Sequence, residues 1–258
     1  MDRAWIALAL ACGLAACRST EQPAPKAAAP AKAHWSYEGA TGPAHWGDLD
    51  QAWVLAKTGK QQSPIDIVSA SAVAAEQPAL VVDYQDTTLE ILNNGHTIED
   101  DYHNGGTLTV GGHQYKLAQF HFHSPSEHTL GGKHAPIEAH LVHKDAQGKL
   151  AVIGVLIQEG AAHPELAKLW KHLPAAPGRS ESVAGVSVNA SRLLPASLAS
   201  YRYSGSLTTP PCSEQVAWYV LQEPIQASAE QIAAFRKLIA GNNRPTQPLN
   251  GRTISACK

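Results

Sequence analysis

The segment Gln119-Phe120-His121-Phe122-His123 constrains the fold more than any other stretch of the chain. Successive side chains of a strand alternate between faces, so residues two apart stand side by side. Gln119, His121 and His123 therefore share one face, while Phe120 and Phe122 enter a core behind them. Two imidazoles side by side can fill two coordination positions of a tetrahedral metal. A second run, Glu138-Ala139-His140-Leu141-Val142-His143, alternates in the same way and sets His140 on the face of Glu138 and Val142. If both runs face one cavity, three histidines meet and one coordination position stays open for water. Open three-ligand sites are catalytic, whereas structural zinc sites are closed and usually sulfur-rich.

A lone His-x-His in a strand is more often a pair of hydrogen-bonded core residues. Gln119 and Glu138 reverse that reading, because each lies two residues from a proposed ligand, on its own face. Metal-bound histidines need such acceptors to fix their tautomer. Glu138 in a core strand is also costly without a cationic or metal-linked partner. His143 points to the opposite face and reads as structural. The chain carries thirteen histidines against one methionine, yet they are dispersed rather than gathered in a loop. Its 258 residues, 44% of them hydrophobic, suffice for one large domain or two small ones. A formal net charge of -2 supplies no basic surface, so no nucleic-acid partner is expected.

Strand signals dominate the rest. Thr88-Leu92, Thr107-Val110, Tyr115-His123, Glu138-Lys144, Leu150-Gln158 and Val216-Gln222 are apolar-rich runs of strand length. Gly105-Gly106, Gly111-Gly112, Gly131-Gly132 and Asp145-Ala146-Gln147-Gly148 punctuate them as turns. Such short connections favour antiparallel pairing. One helix opens at His163-Pro164, with Leu166, Leu169, Trp170 and Leu173 on one face. Ser228 and Gln231 form a capping box for another, which buries Ile232, Phe235 and Ile239. The expected fold is β-dominated (α+β): a single domain with a large, twisted, mostly antiparallel central sheet and short peripheral helices.

The first residues read as a leader. Arg3 precedes an apolar run, Ala4 to Leu14, about as long as a signal h-region and shorter than the roughly 20 residues a membrane span needs. It ends in Leu14-Ala15-Ala16-Cys17, which resembles a bacterial lipobox, whose cysteine is lipidated and becomes the mature N-terminus. Residues 1–16 are thus expected to be a signal peptide, with Cys17 lipidated and 17–33 a Pro/Ala-rich tether. The domain occupies 34–258. Arg18 does not look like an inner-membrane retention signal, so the expected location is the periplasm, tethered to the outer membrane. That compartment is oxidising.

Further segments complete a pattern. Ser126-Glu127-His128 and Ser206-Leu207-Thr208-Thr209-Pro210-Pro211, with the two histidine strands, resemble the signature of the alpha-class carbonic anhydrases. Gln62-Ser63-Pro64-Ile65-Asp66-Ile67, Asn93-Asn94-Gly95-His96 and Asn243-Arg244-Pro245-Thr246-Gln247-Pro248 match in the same order. The resemblance spans roughly residues 34–254. It implies Zn2+ held by His121, His123 and His140 at the bottom of a cone-shaped cleft, and reversible hydration of CO2 to bicarbonate and a proton by zinc-bound hydroxide. It further implies that Thr208 orients that hydroxide and donates to Glu127, and that His96 shuttles the proton to solvent. Val142, Val152, Leu207, Val216 and Trp218 match the CO2 pocket. Thr209, Asn94 and Tyr37 match the hydrophilic wall. Without the resemblance, Thr208 reads as a turn residue and Glu127 as a solvated loop acid.

The chain departs from the pattern in two places. Bacterial members typically pair a cysteine before the Thr-Gly-Lys turn with one after the Thr-Thr-Pro-Pro run; here Cys212 is present, but its partner position is Ala56. Cys212 is then free or bridged to Cys257; Cys12 departs with the leader. After His96 the strand reads Ile98-Glu99-Asp100-Asp101, acids that break its alternation and are expected to be solvated. Glu99 falls where a neutral amide is common, and a carboxylate there can slow bicarbonate release or alter the shuttle. The rival readings are a catalytically silent binding relative, a zinc-trafficking lipoprotein and a zinc hydrolase. The first usually lacks a ligand, and the second predicts a histidine-rich loop.

Overall fold

The phenylalanines of the His-x-His strand organise the molecule. In the computed structural model, which describes residues 33–103 and 105–258, both rings are buried in a large apolar cluster on the rear of the main sheet. Burying each stabilises the fold by about 1.5–3 kcal/mol. Slipping the strand by one residue turns both rings into the cleft and the polar trio into the core, so its register is strongly specified. The described residues fall in one compact unit, Ala33–Lys258. The expected signal peptide, Cys12, Cys17 and the tether up to residue 32 lie outside the described residues.

Thirteen strands form the main sheet among the described residues. They are β1 (Val73–Ala74), β2 (Leu80–Asp83), β3 (Thr87–Asn93), β4 (Ile98–Asp101), β5 (Thr107–Val110), β6 (His113–His123) and β7 (Ile137–Lys144). Next come β8 (Leu150–Glu159), β9 (Arg179–Val188), β10 (Ser200–Ser206), β11 (Glu214–Leu221), β12 (Ile225–Ala227) and β13 (Ser255–Cys257). The principal path runs β9-β3-β4-β6-β7-β8-β11-β10-β13-β1. β6 and β7 are antiparallel neighbours near its middle. All six strand runs read from the sequence are strands, within two residues at each end.

Pairing is mostly antiparallel, but β8 runs parallel to both β11 and β12, and β13 to β1. The β8–β11 pairing needs a long crossover, supplied by the chain between them with its helix, β9 and β10. β9 and β10 went unforeseen. β9 is an exposed edge strand rich in serine, and β10 reads Ser-Tyr-Arg-Tyr-Ser-Gly-Ser, so neither carries a hydrophobic run. Helices α1 (Pro164–Trp170) and α2 (Ala229–Leu238) pack on the rear cluster through Leu166, Leu169, Ile232 and Phe235, with Trp170 stacked on Phe235. The capping box forms as expected, Ser228 and Gln231 each accepting from the other's backbone N–H. Leu173 lies past the end of α1, and Ile239 is the C-cap of α2. Among the described residues no helix is long and apolar enough to cross a membrane.

A second apolar cluster lies on the front of the sheet, built from Ile65, Ile67, Val152, Tyr203, Val216 and Trp218, with Val142 and Leu207 at its edge. The expectation that the acids of β4 are solvated is corrected here. Asp100 is buried, and Glu99 is half-buried on the front face. β4 is paired between β3 and β6 in a register that sets Asp100 beside Ile91 and Phe120, on the core-facing rear of the sheet, so its alternation carries Asp100 inward whatever its charge. Cys212 and Cys257 are both buried free thiols, so the bridge between them is not formed.

Candidate metal centre

The ladder between β6 and β7 sets His140 directly opposite His121, and Glu138 opposite His123. All four share the front face. A ring nitrogen of each histidine lies within 4.8 Å of the others. Each ring also has one nitrogen engaged behind. His121 Nδ1 lies 2.8 Å from Gln119 Oε1, and His123 Nδ1 donates to the Asn242 carbonyl at 2.7 Å. His140 Nε2 is 2.9 Å from Glu138 Oε1, though off the ideal bonding line. The opposite nitrogens, His121 Nε2, His123 Nε2 and His140 Nδ1, are thereby left to converge as lone pairs. Burial lowers all three rings, His123 to about 4, and the neighbouring imidazoles press His121 further down. All three are neutral at physiological pH, as metal ligation requires.

One observation tests whether these residues fit a cation. His123 Nε2 is fully buried with no hydrogen-bond partner, and so is Glu127 Oε2, 3.5 Å away. His140 Nδ1 lies 3.9 Å from the same Glu127 oxygen. Acceptors converging in a buried space without a donor are costly, and a cation held by the ring nitrogens would relieve that cost. A second cluster, His128, Glu138 and His140, is equally close-set. Its donors are already spent and all three residues are buried, whereas His121 opens onto the cleft.

Glu138 shows how they are spent. Its Oε2 accepts from the backbone N–H groups of Glu127 and His128, both at 2.8 Å, and its Oε1 from His128 Nδ1 at 2.7 Å. Three of the four lone-pair sites of the carboxylate thus accept hydrogen bonds, and the fourth faces the His140 ring at 2.9 Å. Burial alone raises this carboxyl, but His128 and His140 hold it well below the usual range. His128 Nε2 accepts from Tyr203 Oη at 2.7 Å, and Tyr203 from Ser63 Oγ at 2.8 Å. Ser63 and Ser206 then exchange backbone-to-hydroxyl bonds. This chain ties the histidine floor to the loop that carries Thr208. Gly154 makes room for it: a Cβ there meets Glu138 Oε1 at 3.0 Å.

Glu127 is wholly buried, not a solvated loop acid, and its Oε1 accepts from the Arg244 N–H at 2.8 Å. Burial pushes its carboxyl up to about 7, against which His140, that N–H and the Thr208 hydroxyl favour the charged form. Thr208 is buried beside it. Val142, Val152, Leu207, Val216 and Trp218 all belong to the front apolar cluster, and Thr209 stands half-buried next to Thr208. His96 is half-buried and stacks on Trp35 at 3.7 Å between centroids, nearly parallel. Burial, then His34, lowers its pKa. Asn94 Oδ1 accepts from the backbone N–H groups of His96 and Thr97, so this residue builds the turn that presents His96. Tyr37 has a buried hydroxyl without a partner. His143, on the rear, is bound by Tyr84 Oη and the Ala151 carbonyl.

Four participants were not legible as such: His128, Tyr203, Asn242 and Arg244. Asn242 accepts from His123 through its carbonyl and reaches the His96 carbonyl with its side chain. The buried Arg244 guanidinium bonds Gln62, Ser63 and Ala56. His128 and Arg244 lie inside segments that matched a pattern, the one signal that could have marked them.

Comparison with known proteins follows the same lines. A family model described as eukaryotic-type carbonic anhydrase matches residues 41–258. The carbonic anhydrase of Pectobacterium carotovorum is 50% identical over 223 residues, covering 86% of this chain and 90% of that protein. That of Nostoc sp. is 42% identical over 224 residues, covering 86% and 85%. The solved structure of the alpha-carbonic anhydrase from Thermovibrio ammonificans, a complex with the inhibitor sulfanilamide, superposes with a TM-score of 0.84 at 47% identity, covering 88% of this chain and all (100%) of that one.

Proposed function

The chain belongs to the eukaryotic-type, or alpha, carbonic anhydrase family and is a CO2-hydrating enzyme; we propose that it works through Zn2+ held by His121, His123 and His140. The observation that carries this is the convergence of ring nitrogens whose opposite sides are engaged by Gln119, Asn242 and Glu138. Bound there, zinc supplies an acidified water, with a pKa of about 7 in carbonic anhydrase itself, the reference case for this chemistry.

The chain's own residues do the rest. Glu127, fixed by the Arg244 N–H, stands beside the Thr208 hydroxyl, which favours its charged form, and is the acceptor assigned here to that hydroxyl. A donor so committed presents only lone pairs to the metal side, and this orients whatever hydroxyl group sits there. Val142, Val152, Leu207, Val216 and Trp218 offer CO2 an apolar wall and exclude water from it. Thr209 borders the wetter side. His96, neutral at physiological pH and half-exposed, takes up the released proton on its ring and passes it to solvent.

The test is zinc content and stopped-flow CO2 hydration of the wild type and His121→Ala. One zinc per chain with fast hydration, both lost in the variant, supports the proposal; full zinc occupancy without hydration overturns it. His96→Ala should slow turnover in weak buffer by roughly a hundredfold, with imidazole restoring it. A rate independent of buffer removes His96 from the mechanism.

We also infer export and attachment to the outer membrane through lipidated Cys17, on the strength of the apolar run and Leu14-Ala15-Ala16-Cys17. Cys17→Ser should release the protein from the membrane fraction; retention contradicts the anchor.

A further inference from the structure

β4 flanks β6 on the side away from β7, and its ladder sets Glu99 directly opposite His121. From there Glu99 Oε2 accepts a hydrogen bond from Gln119 Nε2 at 3.3 Å, while Gln119 Oε1 faces His121 Nδ1 at 2.8 Å. Among the described residues the Gln119 side chain makes no other hydrogen bond. A glutamine amide has a donor end and an acceptor end of nearly the same shape, and its outline does not decide which one meets the imidazole. A carboxylate decides it, because it only accepts. With Glu99 on one side, the NH2 end turns to Glu99 and the carbonyl to His121. His121 must then carry its proton on Nδ1, and Nε2 keeps the lone pair that faces His123 and His140.

We propose that Glu99 is a positioning residue of the metal centre: through the Gln119 amide it fixes the tautomer of His121 and slows the loss of zinc. This rests on the reading of His121, His123 and His140 as the ligands. Glu99 does not touch the reacting groups. Its effect passes through one neutral amide, so it depends on the amide being there.

The experiment is the rate at which the zinc-loaded full chain surrenders its metal to excess chelator, in wild type, Glu99→Ala, Glu99→Gln, Gln119→Ala and the double variant Glu99→Ala/Gln119→Ala. Outer partners of ligand histidines are worth 10- to 100-fold in metal affinity, so Glu99→Ala should lose zinc about tenfold faster and Glu99→Gln, whose carbonyl still accepts, within about threefold of wild type. Once Gln119 is alanine, Glu99→Ala should add nothing. An unchanged rate in Glu99→Ala, or the same acceleration with and without Gln119, overturns the proposal. Imidazole 15N spectra of metal-free wild type read the tautomer without any substitution: Nδ1–H at His121 supports the relay, and Nε2–H overturns it. A wild type that holds no zinc defeats the ligand reading and this proposal together; a zinc-loaded wild type indifferent to Glu99 defeats this proposal alone.

Discussion

β7 and β4 flank the same strand and both bury carboxylates, yet they treat them in opposite ways. On β7, Glu138 is wholly enclosed and all of its lone-pair sites face donors, which hold it charged. On β4, Asp100 is as deeply buried, but one oxygen accepts from the Glu90 N–H and the other has no partner. Burial, and then the acids around it, push Asp100 up to about 7. Burial depth therefore does not tell a working carboxylate from a liability; the count of donors does.

The largest expected effect comes from spoiling the satisfied side. In Glu138→Gln one oxygen becomes an NH2 group, a donor facing donors. Loss of roughly 2–4 kcal/mol of stability is expected, together with a 10- to 100-fold fall in zinc affinity. Chemical denaturation and competitive zinc titration check both. A variant as stable as wild type would erase the contrast between the strands.

The smaller effect comes from relieving the unsatisfied side. Between about pH 4 and pH 7 the folded chain holds a proton on Asp100 that the unfolded chain has released. Its contribution to stability accordingly falls as pH rises through that window. Asp100→Asn keeps an acceptor for the Glu90 N–H and cannot ionise. It should stabilise the protein by about 1–2 kcal/mol at pH 8, and the gain should vanish below pH 4. Urea unfolding at pH 4, 6 and 8 measures this, and a gain independent of pH would contradict it.

The same contrast explains what the sequence made legible. β6 and β7 were readable because alternation, aromatic backing and metal-binding side chains agree residue by residue. On β4 the alternation fails as hydrophobicity, and only the sheet's neighbours reveal that Asp100 is covered. β10 was invisible for a related reason: Tyr203 is buried through its bonds to His128 and Ser63, not through an apolar run. The parallel entry of β11 beside β8 is likewise set by a distant crossover, which no local pattern encodes. Asn242 contributes through its backbone carbonyl, and that function leaves no mark on side-chain identity.

The central claim, that three imidazoles and no carboxylate hold the metal, is tested most directly by X-ray absorption of the zinc-loaded chain. The geometry here predicts three imidazole rings and one further light atom at about 2.0–2.1 Å, in the range of zinc–nitrogen bonds. Two imidazoles with a carboxylate, the signature of the neighbouring His128, Glu138 and His140 set, or any sulfur in the shell, would contradict it.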